Sequence, residues 1–164
     1  MVGQNILEHP SAVNWSILAP SSFELDLTNA GLVTDYFASH QPDLVIHVAG
    51  QVGGIQANLA HPVAFLERNA AMGRNVIISA YEAGVRNFLN LGSTCMYPRG
   101  APNPLSEEMI LTGELEPTNE GYLRHNPRIY DCPMYVTRFR GPTYTVMCQL
   151  KTVNPTSKWI LAGV

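Results

Sequence analysis

A hydroxyl at Ser93 and a thiol at Cys95 stand two residues apart in Leu91-Gly92-Ser93-Thr94-Cys95-Met96-Tyr97-Pro98, directly after an apolar run. A phenol at Tyr122 closes a second segment, Glu116-Pro117-Thr118-Asn119-Glu120-Gly121-Tyr122. A hydroxyl donates a hydrogen bond, a thiol gives or takes a proton, and a phenol does so readily only when its pKa is brought down from about 10. Each residue taken alone has a plainer reading. A Ser-Thr pair after a strand makes a turn or a helix cap, an isolated tyrosine packs in a core or on a surface, and a lone cysteine is an inert buried thiol.

The elements that must position these groups alternate strand with helix, the pattern of an α/β fold with a parallel sheet. Ser16-Ile17-Leu18-Ala19 is a short apolar strand ending at Pro20. Thr28 to Ser39 carries Leu32, Val33, Tyr36 and Phe37 at helical spacing, with Thr28 or Asp26 as cap. Asp43 to Gly50 is nearly continuous in apolar residues, as a strand covered on both faces must be. His47 within it reads as a structural core residue.

A long helix is expected from Pro62 to Ala83, with Pro62 in the first turn and Gly84 ending it. Phe88-Leu89-Asn90-Leu91 follows as a second buried strand, which places Ser93 at the carboxyl end of the sheet, where α/β folds bind ligands. Tyr97 to Pro104 reads as a loop, and Ser106-Glu107-Glu108 opens a short helix ending near Gly113. From Leu123 to Arg140 the chain is basic, broken by Pro127 and Pro133, and has neither period; Thr143 to Met147 recovers a strand-like pattern.

Composition narrows the function. A chain of 164 residues with 46% hydrophobic and 14% charged residues suits one packed domain rather than disorder. A net charge of −3 gives no reason to expect nucleic acid or an anionic membrane as partner. The N-terminus has no signal-peptide pattern, and no apolar run is long enough to span a bilayer. Cys95, Cys132 and Cys148 show neither metal-site nor disulfide-framework spacing, so no metal is expected and the cytoplasm is the expected compartment. The only lysines are Lys151 and Lys158.

Together, Gln51-Val52-Gly53-Gly54-Ile55-Gln56-Ala57-Asn58, Leu91 to Pro98 and Gly113 to Tyr122 resemble the GDP-L-fucose synthases, a family of the extended short-chain dehydrogenase/reductase superfamily. The likeness runs from Met1 to Tyr122. It implies a Rossmann-like, doubly wound parallel sheet and an NADP(H)-dependent reaction on a GDP-linked keto-deoxy sugar. In that reaction GDP-4-keto-6-deoxy-D-mannose is epimerised at carbons 3 and 5 and reduced at carbon 4. By resemblance, Tyr122 protonates the carbonyl oxygen, Ser93 hydrogen-bonds it, and Cys95 exchanges protons during epimerisation. Val2 and Gly3 match the end of the phosphate-binding turn, Asp26 and Leu27 the adenine contacts, and Ala49 and Gly50 the pyrophosphate side. Leu91, Gly92 and Ser93 then flank the nicotinamide. Ser22 stands where the family has an arginine for the 2′-phosphate of NADP, which leaves NADP against NAD open.

The resemblance also exposes departures. The family carries a lysine four residues after the tyrosine, where its charge lowers the phenol pKa and its ammonium grips the nicotinamide ribose. Here Asn126 stands at that position, and Pro127 disfavours helical geometry at it. The first strand, its two leading glycines and the sugar-nucleotide domain have no counterpart. The expected organisation is therefore a partial Rossmann domain over 1–122 lacking the first strand, and an irregular, divergent or frameshifted tail over 123–164. Within that tail Thr145 to Met147 and Asn154 to Trp159 again resemble family segments. On this reading the chain by itself is inactive. The rival expectation is a remnant that only binds nucleotide, or that pairs with a full-length subunit through the 62–83 helix as family homodimers do.

Overall fold

The computed structural model describes residues 2–91, 97–110, 112–115, 135–137, 144–145 and 158–163. These fall into two compact units. One holds the described parts of Met1–Gly50, Ala71–Leu91 and Met134–Val164, the other those of Gln51–Ala70 and Gly92–Pro133.

The first unit is a six-stranded sheet. Its strands are β1 (Ser16–Leu18), β2 (Leu44–His47), β3 (Asn87–Asn90), β4 (Tyr135–Thr137), β5 (Tyr144–Thr145) and β6 (Lys158–Ala162), in the order β1-β6-β2-β3-β4-β5. β1, β6, β2 and β3 run parallel, while β4 and β5 add an antiparallel edge. All four residues of β2 are buried, which accounts for its unbroken apolar run.

Helices cover both faces. Ile6 and Leu7 of α1 (Val2–Glu8) pack on a cluster made of Leu44, Ile46, Leu89, Trp159 and Leu161. On the other face Val33 and Phe37 of α2 (Ala30–His40), with Val76 and Ala80 of α4 (Pro62–Glu82), enclose Val45, Phe88, Ile160 and Ala162. The alternation along β2, β3 and β6 thus feeds two apolar layers. The cap of α2 is Asn29, whose side chain accepts from the Leu32 N–H at 3.2 Å, rather than Thr28 or Asp26. Asp26 instead takes the Thr28 N–H (2.9 Å) and hydroxyl (2.7 Å), which closes a turn before the helix. Gly84 ends α4 with φ +76°, a left-handed geometry that glycine adopts without steric cost.

The doubly wound parallel sheet holds as expected. Its inner position beside β2, expected to be open, is occupied by β6. Ile17 pairs with Trp159 and Leu18 with Ile160 on one side; Leu44 pairs with Trp159 and Val45 with Ile160 on the other. Trp159, Ile160, Leu161 and Ala162 are all at most 1% exposed. The register is fixed at its amino end. The Asp43 N–H donates to the Lys158 carbonyl (2.8 Å), the Lys158 N–H donates to the Asp43 carboxylate (2.8 Å), and the ammonium reaches the His40 carbonyl at the end of α2 (3.3 Å). Trp159 also stacks on Trp15, with ring centroids 4.2 Å apart and an 18° tilt. In the tail expected to be irregular, residues 135–137, 144–145 and 158–162 are strands.

In the second unit, Gly53 and Gly54 lead into α3 (Ile55–Ala60), a helix that begins inside the Gln51–Asn58 motif. A Cβ on Gly53 would lie 2.9 Å from Ala57 Cβ and Phe65 Cζ, so only glycine fits there. Asn69 Oδ1 accepts the Gln51 N–H (2.6 Å) while its amide donates to the Gln51 carbonyl (2.9 Å), a side-chain copy of a strand pairing. Residues 97–104 form the expected loop, held by the Arg99 N–H on the Glu114 carbonyl (2.7 Å), and Glu107–Met109 is a single helical turn.

Candidate functional site

The carboxyl edge of the sheet is built from the ends of β1, β6, β2 and β3. β2 runs out through Val48, Ala49 and Gly50; the Val48 N–H donates to the Ala162 carbonyl of β6 (3.0 Å), and Gly50 is exposed. β6 ends in Gly163 at φ +104°, where a Cβ would overlap the backbone N, Cα and Cβ of Ala49. β3 ends at Asn90, and the Leu91 N–H donates to the His47 carbonyl (3.2 Å). Ala49, Gly50 and Gly163 bring no bulky side chain to this edge.

Next to β1, Ser21 donates both its N–H and its hydroxyl to the Glu24 carboxylate, each at 2.8 Å. Those bonds, the backbone one first, hold the Glu24 carboxyl below the usual carboxylate range. Asp26 is exposed, whereas Leu27 belongs to the apolar core at 6% exposure. This loop is fastened from α4, since the buried Asn75 amide donates to the Leu27 and Thr28 carbonyls, each at 3.0 Å. His47, at the end of β2, is 6% exposed, its Nδ1 has no hydrogen-bond partner, and burial lowers its pKa to about 4.

Of the cofactor residues expected from sequence, Ala49, Gly50 and Leu91 lie together at this edge. Val2 is exposed and Gly3 buried at the start of α1, and Asp26 and Leu27 sit in the loop after β1. Gly92 and the chemical trio Ser93, Cys95 and Tyr122 lie outside the described residues. Sequence reasoning passed over Gly163, Asn69 and Asn75. The two asparagines carried a signal, being polar residues of low helix propensity inside an otherwise apolar helical stripe. Among the described residues no cluster of His, Cys, Asp or Glu could hold a metal ion, and no helix is long and apolar enough to cross a membrane.

Over 122 residues, 74% of this chain, the sequence is 51% identical to the GDP-L-colitose synthase of Yersinia pseudotuberculosis and covers 40% of that protein. It is 48% identical over the same length to the GDP-L-fucose synthase of Azorhizobium caulinodans, covering 39%. The chain therefore spans about two fifths of the length of these curated relatives. Its fold matches the GDP-mannoheptose C4 reductase of Campylobacter jejuni, solved with NADP bound, at a TM-score of 0.60 and 32% identity. That match covers 64% of this chain and 33% of the reductase. Residues 1–126 match the model of the NAD dependent epimerase/dehydratase family, and the chain belongs to that family.

Proposed function

We propose that residues 1–126 are the NADP(H)-binding part of an enzyme that epimerises and reduces a GDP-linked 4-keto-6-deoxy sugar, the conversion that yields GDP-L-fucose. The observation that carries this reading is the identity of about half over 122 residues to two GDP-sugar synthases. Ser93, Cys95 and Tyr122 all fall within the span of the family match.

The carboxyl edge of the sheet fits a dinucleotide. Ala49, Gly50 and Gly163 present no bulky side chain, and Asn75 holds the Asp26–Leu27 loop in place for the adenosine end. Val2, Gly3, Ala49 and Gly50 would bear the diphosphate, and Leu91, Gly92 and Ser93 the nicotinamide. Bound NADPH supplies the hydride. Ser93 orients the keto oxygen by a hydrogen bond, Tyr122 delivers its proton to that oxygen, and Cys95 moves the protons at the neighbouring carbons. Ser21 to Thr28 contains Glu24 and Asp26 and no cation, so no charge in this loop rewards a 2′-phosphate.

Asn126 and Pro127 favour a second reading, in which this polypeptide binds nucleotide without turning substrate over. Such a chain could still associate through α4, where Ile78 and Tyr81, three residues apart, are 37% and 57% exposed. One experiment separates the cases. The purified chain is titrated with NADPH and with NADH by fluorescence transfer from tryptophan, then given GDP-4-keto-6-deoxy-D-mannose. Saturable NADPH binding without product is the expected result. Absence of any binding refutes the nucleotide reading, and GDP-L-fucose formation refutes the inactive one.

A further inference from the structure

We propose that Lys158–Gly163 works as the central strand and glycine turn of the nucleotide site, so that the diphosphate of a dinucleotide lies against Gly163. This rests on the nucleotide-binding reading above, and it assigns the site residues from a part of the chain outside the family match, which ends at 126.

Three independent observations converge on this strand. Its place is the first. β6 lies parallel between β1 and β2, with α1, which feeds β1, on one face and α2 and α4, which feed β2 and β3, on the other. In open α/β sheets the crevice at the carboxyl ends of the strands, where the connections change face, is where nucleotides bind. The second is the turn. Gly163 takes φ +104° and approaches Ala49 so closely that a Cβ would strike its main chain, while Gly163 itself is exposed. Diphosphates are held by main-chain N–H groups at turns of this kind, which side chains would obstruct. The third is anchorage. Lys158 and Asp43 exchange two 2.8 Å hydrogen bonds at the opposite end, which fixes where the strand stops and hence where Gly163 stands.

Trp15 and Trp159 are the only tryptophans, and their stacking gives the coupled circular-dichroism band of a tryptophan pair whenever β6 is seated. The full chain is followed by that band, by hydrogen exchange of the peptide covering 158–164, and by NADPH titration, in wild type and Gly163→Ala. We expect the wild-type peptide to exchange slowly and more slowly still with NADPH. In Gly163→Ala we expect the band to persist and NADPH to bind at least about tenfold more weakly. Should the variant lose the band, the wild-type exchange decides alone. NADPH binding that leaves exchange at 158–164 unchanged, or a folded Gly163→Ala that binds as wild type does, overturns the proposal while leaving the nucleotide reading intact. A wild-type chain that binds no NADPH overturns that reading and the role of Gly163 with it.

Discussion

Acid should unfold this protein through His47. Burial holds its imidazole neutral, lowering the pKa from the ordinary 6.5 to about 4, and its Nδ1 meets no partner that a proton would help. In the unfolded chain the same ring titrates at the ordinary value. Between the two pKa values the unfolded state therefore binds a proton that the native state refuses, and stability falls as pH falls through that window. Each pKa unit is about 1.4 kcal/mol, so the whole window is about 3 kcal/mol, of which about 2 kcal/mol is lost by pH 5. Below about 4 both states are protonated and the term stops changing. That is a large part of a typical domain stability of about 5–15 kcal/mol. The assay is urea denaturation at several pH values from 7.5 to 4, read by tryptophan fluorescence, on wild type and His47→Leu. Carboxylates such as Glu24, whose lowered pKa makes it stabilising until acid protonates it, contribute alike to both proteins and cancel in the difference. The variant should lose the slope between 6.5 and 4. Parallel loss of stability in the two proteins across this window would refute the assignment.

Two further substitutions test the packing that supports the site. Trp159→Ala removes a side chain 1% exposed between β1 and β2 and should cost about 3–5 kcal/mol, together with the coupled tryptophan band; retention of stability within about 1 kcal/mol would show that β6 does not occupy the inner position. Asn75→Leu keeps the volume but strips the Leu27 and Thr28 carbonyls of their donor and should cost about 1–3 kcal/mol by denaturant titration, with no measurable cost meaning that water replaces the amide.

Much of the sheet was readable from local pattern because burial on both faces writes itself into the sequence. Leu44 to His47 and Asn87 to Asn90 stand where continuous apolar runs placed them, and α4 runs between Pro62 and Gly84 as its punctuation required. Three features escaped. α1 is only seven residues and contains Gly3, so it lacks the length that makes a helical period visible. α3 is only six residues, too short to show a helical period. The address of β6 escaped for a deeper reason. Trp159 to Ala162 is an apolar run of the same kind as β2, and nothing local says which gap in a sheet such a run will fill. That depends on Asp43 at one end, Trp15 on one face and Ala49 at the other end, residues more than a hundred positions away. The asparagine clamps have the same character, because the partners of Asn75 are carbonyls 47 and 48 residues distant.

On the function proposed above, binding and chemistry rest on different physical grounds. The proposed nucleotide edge depends on main-chain geometry at Ala49, Gly50 and Gly163, at the ends of strands that burial and the Asp43–Lys158 hydrogen bonds hold in register. The proton delivery proposed for Tyr122 depends instead on a nearby positive charge, without which a phenol, ordinarily of pKa about 10, forfeits much of the roughly 10²–10⁴-fold that a tuned acid contributes. The Lys158 ammonium is held on the His40 carbonyl, at the amino edge of the sheet. The residue four positions after Tyr122, Asn126, is neutral. On that reading nucleotide affinity reports on the fold and turnover on the surroundings of one phenol, so the two measurements can part in this chain.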